Sequence, residues 1–333
     1  NKNQIINVGL IGYGYWAPNI AKNLTLNPKI NLKWICDKNV DRIEKAKSIY
    51  ASQVKYSDDS NKIINDPTLD AIVIGVETSS HYSLVKQALN MGKHVFVEKP
   101  FTSTVEEAIE LEELAKKTSL KIHVNHIMVY NSGIKKIKNL LSKNHIGDIL
   151  YIDAMRMNLG QIRKDVSAMW DLALHDLVII DYLTEGKEPY FISAMGEKYY
   201  NPKESVSFLT MRYEGFISHI QSSWISPLKE RKLIIVGSKK MIVFDDLKIA
   251  EKLTIYDKGV NVISGKNIEY GNYEVKTHEG DVWSPYIENS DALYDSIDNF
   301  RKAIEENKKP ITGSDQAIRI QRILKKADER MNK

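Results

Sequence analysis

The feature that most constrains this chain is the regular alternation of its first third between short apolar runs and helical patterns. "INVGLIG" (6–12) is an apolar stretch bounded by glycine, and "NIAKNLTL" (19–26) follows with helical spacing. "LKWICD" (32–37) precedes the polar helix pattern "VDRIEKAKSIY" (40–50); "DAIVIGV" (70–76) precedes "YSLVKQALNMG" (82–92), which a glycine closes. "HVFV" (94–97) leads to a helix opened by Thr104 and Glu107, a capping-box spacing, with Ala108, Leu111, Leu114 and Ala115 on one stripe. "KIHVNH" (121–126) completes the series. Apolar runs too short for helices, separated by helical segments, predict parallel strands joined by crossovers, a doubly wound sheet.

Beyond that point the pattern changes. "ILYIDAMRMNL", "SVSFLTMRYEGFISHIQSSW", "RKLIIVGSKKMIVFDD" and "KLTIYDKGV" are successive strand candidates, and "EGF" and "VGSKK" have the length of tight connections between antiparallel neighbours. Leu293, Ile297, Phe300 and Ile304 then fall on one helical face. The expectation is an α/β protein: a doubly wound parallel sheet over 1–124 and a second α/β domain over 125–333 with a large open, mainly antiparallel sheet. The C-terminal helices are free to pack back on the first domain.

Composition excludes several classes. The 47 Lys and Arg against 43 Asp and Glu leave a net charge of only +4, and no basic tail, zinc spacing or aromatic RNA-binding pattern points to nucleic acid. A single cysteine, Cys36, rules out a disulfide framework, and no cluster suggests a metal. No run approaches the ~20 apolar residues that cross a bilayer, and the first residues lack a signal-peptide layout, so a cytoplasmic protein without membrane contact is expected.

Gly12-x-Gly14-x-x-Ala17 follows the first strand and opens the first helix. The first glycine permits a tight turn, the second lets backbone approach a pyrophosphate, and the small third residue allows close helix packing. Asp37 ends the second strand, 25 residues beyond Gly12, where a carboxylate binds ribose hydroxyls and repels a 2′-phosphate. NAD is therefore expected rather than NADP, with Lys38 and Arg42 as nearby cations that oppose the preference. "HVFVEKPF" ends an apolar strand with Glu98, Lys99 and Pro100; a carboxylate and an amine at the carboxyl edge of such a sheet lie where ligands bind. In "WDLALHDL", Asp171 and His175 are four apart and share a face if the segment is helical. On this stretch alone a surface i,i+4 pair with a helix-capping acid is the ordinary reading; the pair also suits a base that removes a hydroxyl proton.

Together these segments identify a family. "GLIGYGYWAPN", Glu98-Lys99-Pro100 and Asp171-x-x-x-His175 occur in the order and spacing of the Gfo/Idh/MocA oxidoreductases, which the chain resembles over nearly its whole length. "GYGYWAPN" and "SWISPLK…GSKKMIVFDD" resemble a bacterial and archaeal subgroup of surface-polysaccharide sugar pathways, whose members resemble UDP-N-acetylglucosamine 3-dehydrogenases. The resemblance implies a Rossmann domain and a C-terminal α/β domain that binds substrate and forms a homodimer or homotetramer. By position it implies cofactor contacts from Gly12, Gly14, Tyr15, Trp16, Asp37, Arg42, Thr78, His81, Glu98, Lys99 and Asn125. It implies substrate contacts from Lys99, Asn158, Arg163, Asp171 and His175, with Lys99, Asp171 and His175 catalytic. Asn125 and Ala17 stand where relatives more often carry glycine.

The implied reaction is NAD-dependent oxidation of a ring hydroxyl, at C3 of a nucleotide-activated sugar such as UDP-N-acetylglucosamine or its uronic acid. The resulting 3-keto sugar would serve a pathway aminotransferase. His175 would take the proton with Asp171 stabilising the imidazolium and Lys99 the alkoxide, or Lys99 would itself be the base. A free sugar, inositol or sugar phosphate is the alternative substrate, and a non-catalytic NAD(H)-binding regulator the alternative class.

Overall fold

The computed structural model describes residues 5–160, 162–163, 166–200, 202–263 and 274–331. It divides into two compact units, Asn1–Tyr130 with Ser290–Arg322, and Asn131–Asn289 with Ile323–Lys333.

The first unit is a Rossmann fold. Its elements run β1 (Ile6–Ile11), α1 (Ala17–Leu26), β2 (Ile30–Cys36), α2 (Val40–Tyr50), β3 (Lys55–Ser57), α3 (Ser60–Ile64), β4 (Ala71–Ile74), α4 (His81–Asn90), β5 (His94–Val97), α5 (Val105–Thr118) and β6 (Ile122–Val124). The six strands are parallel in the order β3-β2-β1-β4-β5-β6. Strand pleating divides the core between the two faces. Ile72, Ile74, Val95, Val97 and Val124 face one cluster with Val85, Leu89 and Leu111 of the helices. Val8, Leu10, Ile35, Val73 and Phe96 face the other with Ile20 and Leu24. The Thr104–Glu107 capping box forms in both directions at the start of α5.

The second unit opens with α6 (Ser132–Ser142) and contains α7 (Leu174–Leu183) and an eight-stranded sheet. Its strands are β7 (Ile149–Leu159), β8 (Phe191–Glu197), β9 (Val206–Tyr213), β10 (Phe216–Ser223), β11 (Ile225–Gly237), β12 (Met241–Asp245), β13 (Leu253–Ile263) and β14 (Glu274–Trp283). Their order is β14-β13-β12-β11-β7-β10-β9-β8, with β7 and β10 parallel and every other neighbouring pair antiparallel. Alternation sets its two faces: Ile152 and Ala154 are buried, whereas Tyr151 is exposed and Met155 half-buried. Across the strands Tyr151, Ile217, Phe208, Phe191 and Met195 leave substantial apolar surface in solvent. Helix α7 is apolar around nearly its whole circumference and correspondingly buried.

Two helices close the chain, α8 (Ala292–Glu305) and α9 (Ser314–Met331). The α8 stripe behaves as its spacing predicts: Leu293, Ile297 and Phe300 are buried in the Rossmann core, and Phe300 meets Phe96 edge-on with centroids 5.7 Å apart. Three strands escaped the sequence reading, β3, β8 and β14. Among the described residues no helix is long and apolar enough to cross a membrane, and no group of three or more His, Cys, Asp or Glu is placed to hold a metal ion.

Candidate active site

In the Rossmann unit a cavity of about 630 Å³ opens at the carboxyl ends of β1, β2 and β4, lined among others by Gly12, Gly14, Asp37, Lys38, Arg42 and Ser60. Gly12 has φ +94°, and a Cβ there would lie 2.4 Å from the Gly75 carbonyl oxygen, so the turn admits only glycine. At Gly14 a Cβ would meet nothing nearer than the Arg42 guanidinium at 3.8 Å, which leaves bare backbone toward the cavity. No side chain caps α1; Pro18 has no amide and the Asn19 amide donates to the Trp16 carbonyl at 3.0 Å, so the helix start offers an anion the Ala17 amide and the dipole. These residues fit a dinucleotide: glycines and a helix start for pyrophosphate, a carboxylate for ribose.

Asp37 is itself held in place. It accepts from the Tyr13 amide at 2.7 Å and the Asn39 amide at 2.8 Å, and Arg42 reaches it at 3.3 Å. Arg42 is thereby paired with Asp37 at the edge of the cavity. Tyr15 (98 % exposed) and Trp16 (42 %) do not line this cavity but project from the loop. Thr78 starts a short turn before α4 and is half-buried.

Two expected cofactor contacts have a different place. His81 is 1 % exposed. Its Nδ1 lies 2.9 Å from the Pro100 carbonyl oxygen and its Nε2 lies 3.1 Å from that of Val76, so the ring ties the loop after β4 to the loop after Lys99. Burial lowers its basicity, against the carbonyls, which raise it. Asn125 is 2 % exposed, and both ends of its amide meet protein groups, Glu98 and Ser296. Both side chains are thus turned to protein groups, a direction that sequence position does not show.

Lys99 lies two residues beyond the end of β5, half-buried, and its peptide bond to Pro100 is cis. Its backbone amide donates to Glu98 Oε2 at 3.3 Å. Burial pushes the Glu98 carboxyl up, while the Asn125 amide and Lys99 draw it back down.

In the second unit Asp171 lies in a wide π-helical turn, Met169–Ala173, that runs into α7, where His175 is the second residue. Such turns recur at functional sites. Asp171 accepts from Trp224 Nε1 at 3.3 Å and pairs with Arg163 at 3.4 Å. The structure thus joins two residues expected at the substrate, Arg163 and Asp171. Asn158, at the end of β7, is half-buried and lies back over Gly160, where a Cβ would sit 2.2 Å from Asn158 Nδ2. Behind His175, Asp176 receives two hydrogen bonds from buried Arg156, from Nε at 3.1 Å and Nη2 at 2.9 Å. Neither Arg156 nor Trp224 was among the expected residues. Arg156 and Asp176 carried a signal, charges within otherwise apolar segments.

Residues 6–126 match the "Oxidoreductase family, NAD-binding Rossmann fold", and residues 134–243 match the "GFO/IDH/MocA C-terminal domain". The chain belongs to the Gfo/Idh/MocA oxidoreductase family. Over 166 residues it is 32% identical to the uncharacterized oxidoreductase YdgJ of Escherichia coli (strain K12), a match covering 50% of this chain and only 46% of that protein. A longer match, 23% identical over 292 residues, reaches the scyllo-inositol 2-dehydrogenase (NAD(+)) of Bacillus subtilis (strain 168) and covers 83% of this chain and 81% of that one. Among solved structures, UDP-N-acetylglucosamine 3-dehydrogenase GnnA from Acidithiobacillus ferrooxidans superposes with a TM-score of 0.80 at 22% identity, covering 98% of this chain and 97% of that one. That likeness concerns the fold. For this Gfo/Idh/MocA protein, the family and the cradle around Gly12 and Asp37 agree on NAD.

Proposed function

We propose that the protein is an NAD-dependent dehydrogenase that oxidises a ring hydroxyl of a nucleotide-activated sugar, at C3 of UDP-N-acetylglucosamine or its uronic acid. The observation that carries this reading is the Asp171 carboxylate, held by Trp224 and Arg163 and four residues before His175 at the start of α7. It supplies a fixed anion for an imidazole, with a guanidinium beside it for an anionic or polar substrate.

Gly12, Gly14, Asp37 and Arg42 would hold the cofactor. When bound, NAD supplies the hydride acceptor. His175 takes the hydroxyl proton, Asp171 orients the ring and stabilises its charged form, and Lys99 stabilises the oxygen as it becomes an alkoxide. In the alternative assignment Lys99 takes the proton. The substrate class is supported by similarity to the A. ferrooxidans UDP-N-acetylglucosamine 3-dehydrogenase, 27% identical over 199 residues. The product, a 3-keto sugar, suits an aminotransferase in surface-polysaccharide synthesis. The apolar open face of the large sheet supports a homodimer or homotetramer.

A second reading, oxidation of inositol or a free sugar, is favoured by the B. subtilis inositol dehydrogenase match over 83% of the chain. Incubation with NAD and a panel of UDP-hexosamines, UDP-hexuronates, free sugars and inositols separates them by NADH formation. Turnover confined to UDP-sugars is expected. Turnover on inositol alone supports the second reading, and NADH binding with no turnover on any of them would make the protein a regulator.

A further inference from the structure

A buried run of polar side chains ends at Glu98. Asn125 Nδ2 donates to Glu98 Oε1 at 2.7 Å, and Asn125 Oδ1 accepts from the Ser296 hydroxyl at 2.9 Å. Ser296 Oγ in turn lies 2.9 Å from His123 Nε2. The serine proton already points at Asn125, so His123 Nε2 is the donor in that contact. The same nitrogen lies 3.3 Å from Thr312 Oγ1. There too it donates, because Tyr130 gives its proton to Asn299 at 3.0 Å and Thr312 therefore gives its own to Tyr130, also at 3.0 Å. His123 therefore carries a proton on Nε2. Burial, aided by His126, holds its pKa down at about 3, and Nδ1 has no hydrogen-bond partner among the described residues.

Every proton in this run has one consistent direction, from His123 through Ser296 and Asn125 to Glu98. His123 is clamped in turn, stacked on Phe96 with centroids 4.8 Å apart and fully buried. The far end is equally specific: Glu98 Oε2 accepts from the backbone amide of Lys99 at 3.3 Å.

We infer that Asn125 and Ser296, anchored on His123, are positioning residues that orient the Glu98 carboxylate and, through it, the backbone that delivers Lys99. The inference rests on the reading of Lys99 as a group acting at the substrate hydroxyl. Glu98 presents one oxygen to the chain and the other to the Lys99 amide, so loss of the Asn125 donor leaves the carboxylate unsatisfied and free to rotate away. From His123 Nε2 to Glu98 each contact has a single donor and a single acceptor, which fixes one arrangement of the Asn125 amide.

The test compares Asn125→Ala and Ser296→Ala, alone and in a Glu98→Gln background. Its readouts are kcat, the KM for NAD, NADH affinity by fluorescence and amide exchange of Lys99 in the cofactor-free protein. Asn125→Ala should lower kcat about 10- to 100-fold with NAD KM and NADH affinity unchanged within about twofold. Exchange at Lys99 should rise at least about tenfold. Ser296→Ala should do the same more weakly, and supplies the exchange readout if Asn125→Ala fails to fold. In the Glu98→Gln background the Asn125→Ala loss should largely vanish. An undiminished loss in that background, unchanged exchange, or a loss confined to NADH affinity would overturn the inference. Full turnover by a Lys99→Met variant would instead defeat the proposed function, and the exchange measurement would still decide the positioning role.

Discussion

Arg156 grips Asp176 with two hydrogen bonds, at 2.9 and 3.1 Å, where both side chains are almost wholly buried. Asp176 adjoins His175 in the first turn of α7, so this pair anchors on β7 the turn that carries the proposed base. Each charge holds the other: burial works against the Arg156 cation, but Asp176 outweighs it and raises the guanidinium pKa. Replacing Arg156 by Met strands a buried carboxylate, a change that typically costs about 3–5 kcal/mol. Calorimetry on Arg156→Met should show a markedly lower Tm, and adding Asp176→Leu should recover part of it. An unchanged Tm would mean the pair anchors nothing.

Asp37, proposed to bind the cofactor ribose, also shapes its loop by accepting from the Tyr13 and Asn39 amides. Asp37→Ser should raise the KM for NAD about tenfold or more and narrow the preference over NADP, because the anion that repels a 2′-phosphate is gone. Arg42, released from its partner, should add to the gain with NADP. Initial rates with both cofactors measure this, and an unaltered NAD/NADP ratio would contradict the assignment.

Acid should weaken the Rossmann unit through its buried histidines. His94 is held down at about 4 by burial and by Lys121. The unfolded chain therefore binds a proton that the folded chain refuses between about pH 6.5 and 4, so the stability present above the unfolded pKa is lost as pH falls through that window. For His94 alone this amounts to roughly 2 kcal/mol between pH 7 and 5. His94→Asn, whose Oδ1 can take the place of Nδ1 as acceptor for the Lys121 amide, should flatten the fall of Tm over that range; an equally steep fall would place the acid sensitivity elsewhere.

The open face of the large sheet yields a prediction about assembly. Phe208 and Met195 stand opposite each other on β9 and β8, 41 % and 72 % exposed. Placing charge there, as Phe208→Asp, should shift sedimentation toward smaller species if the apolar face is shared between subunits. An unchanged sedimentation profile would move the oligomer contact off this face.

The strands that define the sheet order were readable because each carries an apolar run bounded by turns, and the α8 stripe because its spacing is strictly helical. β3 has only three residues at a sheet edge, with Lys55 and Ser57 flanking Tyr56, too little pattern to register. β8 alternates correctly, but exposed Phe191 and Met195 on its solvent side blur the polarity that marks a face. β14 is an edge strand and mostly polar. At the cavity, the placement of Gly12, Gly14 and Asp37 was legible because a glycine turn after β1 and a carboxylate at the end of β2 sit at fixed positions in such a sheet. The supporting pairs were not. Asn125 meets Ser296 across 171 residues and Arg156 meets Asp176 across 20, partnerships that exist only once the sheets are built.

Lys99 and His175 are the groups proposed above to act on the sugar hydroxyl. The most direct test is single-turnover NADH formation from UDP-N-acetylglucosamine by Lys99→Met and His175→Asn, alongside NADH affinity. Each variant should lose about 10²- to 10⁴-fold in rate while still binding NADH. Turnover at the unsubstituted rate in both variants would contradict it.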